Sequence, residues 1–272
     1  MFNSPKEVAN NYLNVGAGKC SLPAGKAIVL GILAGMFIGL AGLGATTAAV
    51  SIKAASVAKF VGACIFPVGL IMVVVAGSEL FTGNCLLIIP VLAKKVKVSG
   101  MLRNWVLVYI GNFIGGMLVA AGAVYSHQVS LFDSGMAVSV ISTAVGKCSL
   151  TFGDALIKGI FCNFLVCIAV WMGMAAKDAA GKAMVIFWPI MLFVLCGFEH
   201  SIANMYYIGA GLLANGVPAY AEAAASAGVD TAALTWGNFF AVNLLPVTIG
   251  NIIGGFAVGI SYWFANLRGE SK

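Results

Sequence analysis

The stretch Gly197-Phe198-Glu199-His200-Ser201-Ile202-Ala203-Asn204 sets an acid, an imidazole and an amide inside an apolar run from Met184 to Ala214. A run of that length can cross a bilayer as helix. Ionisable groups at membrane depth are costly, so they face inward and are tied to function. A second copy lies upstream, Gly77-Ser78-Glu79-Leu80-Phe81-Thr82-Gly83-Asn84. Both read Gly-x-Glu-x-x-x-x-Asn, and Glu79 and Glu199 are the acids that lie deep in apolar segments.

The surrounding composition sets the class. Of 272 residues, 61% are hydrophobic and only 9% charged, with a mean hydropathy of +1.02. A soluble chain carries about a quarter charged residues. The expected class is therefore an all-α polytopic membrane protein. The formal charge of +6 is no sign of nucleic acid, because the basic residues cluster at the ends of spans. The cysteines (Cys20, Cys64, Cys85, Cys148, Cys162, Cys167 and Cys196) form no Cys-x-x-Cys pair. They read as small apolar residues, not as a disulfide framework or a metal site. Residues 1–26 are polar and lead into several spans, so no cleaved signal peptide is expected.

Working outward, residues 1–26 read as a polar N-terminal arm and 27–264 as a six-span pore domain, with 265–272 as a tail. The first span is expected from about Ala27 to Val50 and is rich in small residues, which favours close helix packing. The next tract, Val57 to Leu92, has 36 residues. It is too long for one straight span and too short for two, so a broken helix 2 is expected at Gly77–Asn84. Irregular backbone at that depth must be buried or line a cavity. A basic loop (Lys94, Lys95, Lys97, Arg103) precedes a third span, about Asn104 to Tyr125. Residues 126–153 read as a polar connection in which His127 is solvated. The fourth span covers about Ala155 to Ala175, the broken helix 5 covers 184–214, and the sixth runs from about Trp236 to Phe264. With both termini cytoplasmic, eleven of the fifteen Lys and Arg residues fall on that side; Lys53, Lys59, Lys147 and Lys158 do not. The positive-inside bias sets this orientation.

The halves repeat. Gly18-Lys19-Cys20-Ser21-Leu22 recurs as Gly146-Lys147-Cys148-Ser149-Leu150, 128 residues later. Asn104-x-x-x-Val108-x-Ile110-Gly111-Asn112-x-Ile114-Gly115-Gly116 recurs as Asn243-x-x-x-Val247-x-Ile249-Gly250-Asn251-x-Ile253-Gly254-Gly255. With the two Gly-x-Glu elements, three matches fall in the same order, over about 18–125 and 146–264. Three spans per half is an odd number, so the second half enters from the opposite face and the repeat is inverted. Lys19 then belongs to the cytoplasmic mouth and Lys147 to the outer one, and the broken elements meet near the centre.

Val74-Val75-Ala76-Gly77-Ser78-Glu79-Leu80-Phe81-Thr82-Gly83 and Gly159-Ile160-Phe161-Cys162-Asn163-Phe164-Leu165-Val166-Cys167-Ile168-Ala169 resemble two signatures of the formate/nitrite transporter family. Gly197–Asn204 is similar to its central histidine motif, and the resemblance covers essentially the whole chain. It implies an aquaporin-like fold of six helices, one pore per subunit, in a homopentamer in the plasma membrane of a prokaryote. It also implies passage of small monovalent anions of weak acids (formate, nitrite, hydrosulfide or lactate), and the string leans towards the hydrosulfide-conducting subgroup. By resemblance, His200 and Thr82 face each other at the pore centre with Asn163 and Asn251 nearby, and Lys147 lines the outer vestibule. Phe66, Leu70, Leu80, Phe81, Val166 and Phe193 match the positions that build two apolar constrictions, and the N-terminal arm gates some members in response to pH.

The chemistry fits an anion path. A bare anion crossing apolar rings meets a heavy desolvation cost. Lys19 and Lys147 can concentrate anions at each mouth, and the broken helices can aim N-terminal dipoles and free N–H groups at the centre. His200, expected to be neutral, and Thr82 can donate hydrogen bonds. The anion then takes a proton from His200, or from water relayed through it, and crosses the next ring as the neutral acid. Glu79, Glu199, Asn84 and Asn204 recur in both halves and read as structural support, the acids accepting backbone N–H groups. His200 is met by Leu80 in the other half, so it carries the asymmetry. The main alternative is a proton-coupled symporter of the same anions. A neutral-solute pore would need paired Asn-Pro-Ala boxes, which are missing here. An enzyme would need a catalytic set or cofactor motif, and the sequence offers neither.

Overall fold

The chain folds locally as its punctuation directs. A computed structural model describes residues 2–269, so residues 270–272 of the expected tail lie outside the described residues. Helix α1 (Pro5–Ser21) opens with a capping box in which the Ser4 hydroxyl accepts the Glu7 N–H and the Glu7 carboxylate accepts the Ser4 N–H. The Ser4 backbone N–H holds the Glu7 carboxyl below the usual carboxylate range. Residues 1–26 are therefore not merely a polar arm. Val8, Ala9 and Tyr12 are buried, and Asn3 donates from its backbone N–H to the Ala175 carbonyl at 2.8 Å.

Helix α2 (Ala24–Ala49) is followed by α3 (Ala55–Ile65) and α4 (Val68–Ala76), which meet at Pro67. Gly77, at φ 82°, ends α4 in the left-handed region, where a Cβ is penalised. A non-helical step leads to a 3₁₀ turn (Gly83–Leu87) and α5 (Ile88–Leu92). Helix α6 (Val98–Tyr125) begins six residues before the expected third span. Arg103 stands on it instead of in a basic loop, its guanidinium reaching the Leu22 carbonyl at 2.9 Å. A long stem lets the charge reach the rim while the helix continues.

The 126–153 connection is likewise not simply polar. It contains α7 (Gly135–Cys148), with Met136, Ala137, Val140, Ile141 and Ala144 buried. This helix ends at the second Gly-Lys-Cys-Ser, as α1 ends at the first, so it is the repeat counterpart of α1. His127 is not simply solvated, since its Nδ1 lies 3.1 Å from the Tyr220 hydroxyl.

Helix α8 (Phe152–Ala175) starts at Thr151, whose hydroxyl accepts the Asp154 N–H. Helix α9 (Ala179–Leu195) starts at Asp178, which caps Gly181. Gly197, at φ 71°, repeats the left-handed stop of Gly77, and α10 (Ser201–Asn215) resumes beyond it. Helix α11 (Pro218–Ser226) crosses the following segment. The last tract joins α12 (Trp236–Asn238), a π-helical turn (Phe239–Leu244) and α13 (Leu245–Asn266).

Among the described residues five tracts are long and apolar enough to span: Ala24–Ala49, Ala55–Ala76, Val98–Tyr125, Phe152–Ala175 and Trp236–Asn266. The broken tract around Gly197 is divided between α9, with 17 residues, and α10, with 15.

Helix α2 packs on α6 and α8 on α13 through glycines. A Cβ on Gly115 would strike the Ile32 carbonyl, and one on Gly254 the Ile160 carbonyl. Backbones this close are the small-residue packing of membrane helices. Val29, Val106, Phe161, Trp188 and Phe264 point outward and exposed, as lipid-facing side chains do.

Candidate functional site

Each broken element is tied down by the same set of bonds. Glu79 accepts from the Lys19 ammonium at 2.7 Å and from the Asn84 amide at 2.7 Å. Asn84 also donates to Asn104, and Asn104 donates to the Lys19 carbonyl. In the other half Glu199 accepts from Lys147 at 2.9 and 3.0 Å and from Asn204 at 2.6 Å. Asn204 donates to Asn243, and Asn243 to the Lys147 carbonyl. The acids thus bond side chains, not the backbone N–H groups expected of them. A buried carboxylate needs such a partner set to remain charged.

Asn112 and Asn251 form a further pair. Asn112 donates to the Gly31 and Glu79 carbonyls and accepts the Phe81 N–H. Asn251 donates to the Gly159 and Glu199 carbonyls and accepts the Ser201 N–H. Its amide is wholly committed to backbone, so Asn251 clamps the break. The N–H groups at the break are accordingly less free than the sequence suggested. Asn104, Asn112 and Asn243 belong to these frameworks too, and the repeat match contains all three.

Between the two frameworks the halves differ. Thr82 Oγ1 lies 2.8 Å from His200 Nε2, and both side chains are buried. His200 Nδ1 accepts the Ala203 N–H at 3.0 Å, which makes His200 the N-cap of α10. A neutral imidazole has one donor and one acceptor nitrogen. With Nδ1 accepting, the hydrogen-bond network assigns the proton to Nε2, which donates to the Thr82 oxygen. The Thr82 hydroxyl proton then points to no acceptor among the described residues. The Thr82 carbonyl is held by the Asn163 amide at 3.1 Å and the Cys167 thiol at 3.4 Å. Asn163 bonds the Asn251 carbonyl as well, so it supports the centre from behind.

Phe66 and Phe193 meet edge to face with centroids 5.6 Å apart, and Phe193 lies 5.9 Å from the His200 ring. These three line a cavity of about 520 Å³ together with Lys147, Glu199 and Tyr207. Leu70, Leu80 and Val166 are buried. Phe81 packs on Trp105 and Tyr109, at 5.6 and 4.9 Å.

Comparisons with known proteins bear on the family and the fold. Residues 6–264 match the family model described as formate/nitrite transporter. A probable formate transporter of Methanothermobacter thermautotrophicus is 37% identical over 98% of both chains. The formate channel FocA of Escherichia coli (strain K12) is 36% identical over 97% of this chain and 94% of that one. A solved pentameric formate channel with formate bound superposes with a TM-score of 0.80 at 34% identity, covering 90% of this chain and 98% of that chain. An FNT family ion channel gives 0.82 at 28%, over 95% and 98%. This multi-pass membrane chain belongs to the formate/nitrite transporter family.

Proposed function

We propose that the chain forms a passive, pH-sensitive channel for small monovalent anions of weak acids, with formate favoured over nitrite and hydrosulfide by the formate-named relatives. The observation that carries this reading is the buried Thr82–His200 contact at the junction of the two broken elements. It supplies a hydroxyl donor with no other acceptor among the described residues, in surroundings where an anion has lost its water. Such a donor is stronger there than in solvent.

Phe66, Leu70, Leu80, Phe81, Val166 and Phe193 form the two apolar constrictions on either side, and Lys19 and Lys147 stand at the two mouths. The anion accepts the Thr82 O–H, which His200 Nε2–H polarises from behind. It takes a proton relayed through water from the entry side, crosses the apolar ring as the neutral acid and releases that proton to water on the far side. Falling pH favours that form and raises flux. The cap bond at Nδ1 supports the passive reading over symport, because a proton taken up by His200 would have to displace the Ala203 N–H. The subunits assemble as a homopentamer, which the likeness to the formate-bound pentamer supports, with one six-span pore each in a prokaryotic plasma membrane and with cytoplasmic termini.

Proteoliposomes loaded with formate test the proposal. Electroneutral formate flux that stays linear with concentration and rises as pH falls is expected. Flux that saturates with formate concentration would replace the channel with a symporter.

A further inference from the structure

The cavity beside His200 holds more positive charge than its paired lysine supplies. Lys147 is bound by both oxygens of Glu199, so that pair is neutral as a unit. Lys59, on α3, lines the same cavity. Among the described residues it has no carboxylate partner, and its ammonium lies 3.8 Å from where a Cβ on Gly197 would sit. It is therefore the uncompensated cation of this vestibule.

Helix α7 brings hydroxyls to the same cavity. Ser139, Thr143 and Lys147 stand at successive four-residue steps on α7, a spacing that places them on one helix face, and all three line the cavity. Neither the Ser139 nor the Thr143 hydroxyl has a hydrogen-bond partner among the described residues. The repeat register gives Lys59 no counterpart in the other half. Lys59 stands 18 residues before Gly77, and the same step back from Gly197 reaches Ala179.

We propose that Lys59, Ser139 and Thr143 form an anion-binding site in this vestibule, ahead of the Thr82–His200 centre, for small monovalent carboxylates and similar anions. The free ammonium gathers the anion and the hydroxyls replace part of its hydration before the apolar ring. The charge of Lys147 serves mainly to hold Glu199. This rests on the anion-channel reading for its purpose, but the site can be detected without transport.

The experiment places a probe thiol at Ser139→Cys in a background carrying Cys196→Ala and Cys64→Ala. Modification rates of anionic and cationic methanethiosulfonate reagents are compared with Lys59 present and with Lys59→Gln. The anionic reagent is expected to be favoured, and at low salt that preference should fall about threefold or more in Lys59→Gln, the two converging near 1 M salt. Lys59→Arg should retain it. In the same variants without the probe thiol, formate flux from this side should fall by a similar factor at low salt only. An unchanged reagent ratio overturns the site, as does a flux loss independent of salt. A wild-type protein that passes no formate overturns the channel reading instead, while the reagent ratio still reports on Lys59.

Discussion

The Thr82 hydroxyl and the His200 imidazole, 118 residues apart in sequence, meet at 2.8 Å where the two broken elements converge. A hydrogen bond to a charged group contributes about 1.5–3 kcal/mol, roughly ten- to a hundredfold in rate. Thr82→Val should therefore lower formate flux by about that factor, whereas Thr82→Ser, which keeps the hydroxyl, should stay near wild type. Stopped-flow flux in proteoliposomes checks this. Equal losses in both variants would reduce Thr82 to a packing residue.

The Nδ1 cap on Ala203 makes a separate spectroscopic prediction. Nitrogen-15 spectra of histidine-labelled protein should show His200 as the neutral Nε2–H tautomer from about pH 5 to 8, with Nδ1 in the acceptor range. An imidazolium signature for His200 in this window would restore it as the proton donor.

Much of this site was legible from the two Gly-x-Glu elements, because their glycines stop helices with a positive φ and their acids demand partners at membrane depth. The repeat also put Asn104 and Asn112 in register with Asn243 and Asn251. What it could not convey was which donors meet the acids. Lys19 and Lys147 read as anion-gathering charges at the two mouths, yet each reaches a carboxylate about sixty or fifty residues away in sequence. Helix α7 is hidden in the sequence for a related reason. Its run from Gly135 is short, interrupted by Ser139, Ser142 and Thr143, and acquires its helical role only through burial against α10. Lys59 carries no motif in the sequence, because its importance depends on the pairing of Lys147.

Removing one member of a buried ion pair leaves the other uncompensated, which costs about 3–5 kcal/mol in well-buried cases. Lys147 keeps 16% side-chain exposure against 8% for Glu199, so Glu199→Gln should cost somewhat less, about 2–3 kcal/mol. The Lys147→Met, Glu199→Gln double variant should recover part of that loss, since no orphan charge remains. Thermal unfolding of the detergent-solubilised protein gives the double-mutant cycle. Additive losses would mean that the two side chains do not act as a pair.

The helix crossings make the last and most local prediction. Gly115 lies against the Ile32 carbonyl and Gly254 against the Ile160 carbonyl, contacts that leave no room for a methyl group. Overpacking of this kind costs about 1–3 kcal/mol, and here the obstacle is backbone, which cannot rotate away. Gly115→Ala and Gly254→Ala should each lower thermal stability and weaken the α2–α6 or α8–α13 crossing. Gly122 lies on α6 too, but a Cβ there meets nothing within 4 Å. Gly122→Ala should be neutral or stabilising by up to about 1 kcal/mol, the helix-propensity difference. If all three variants melt alike, helix propensity and not close backbone approach governs these positions.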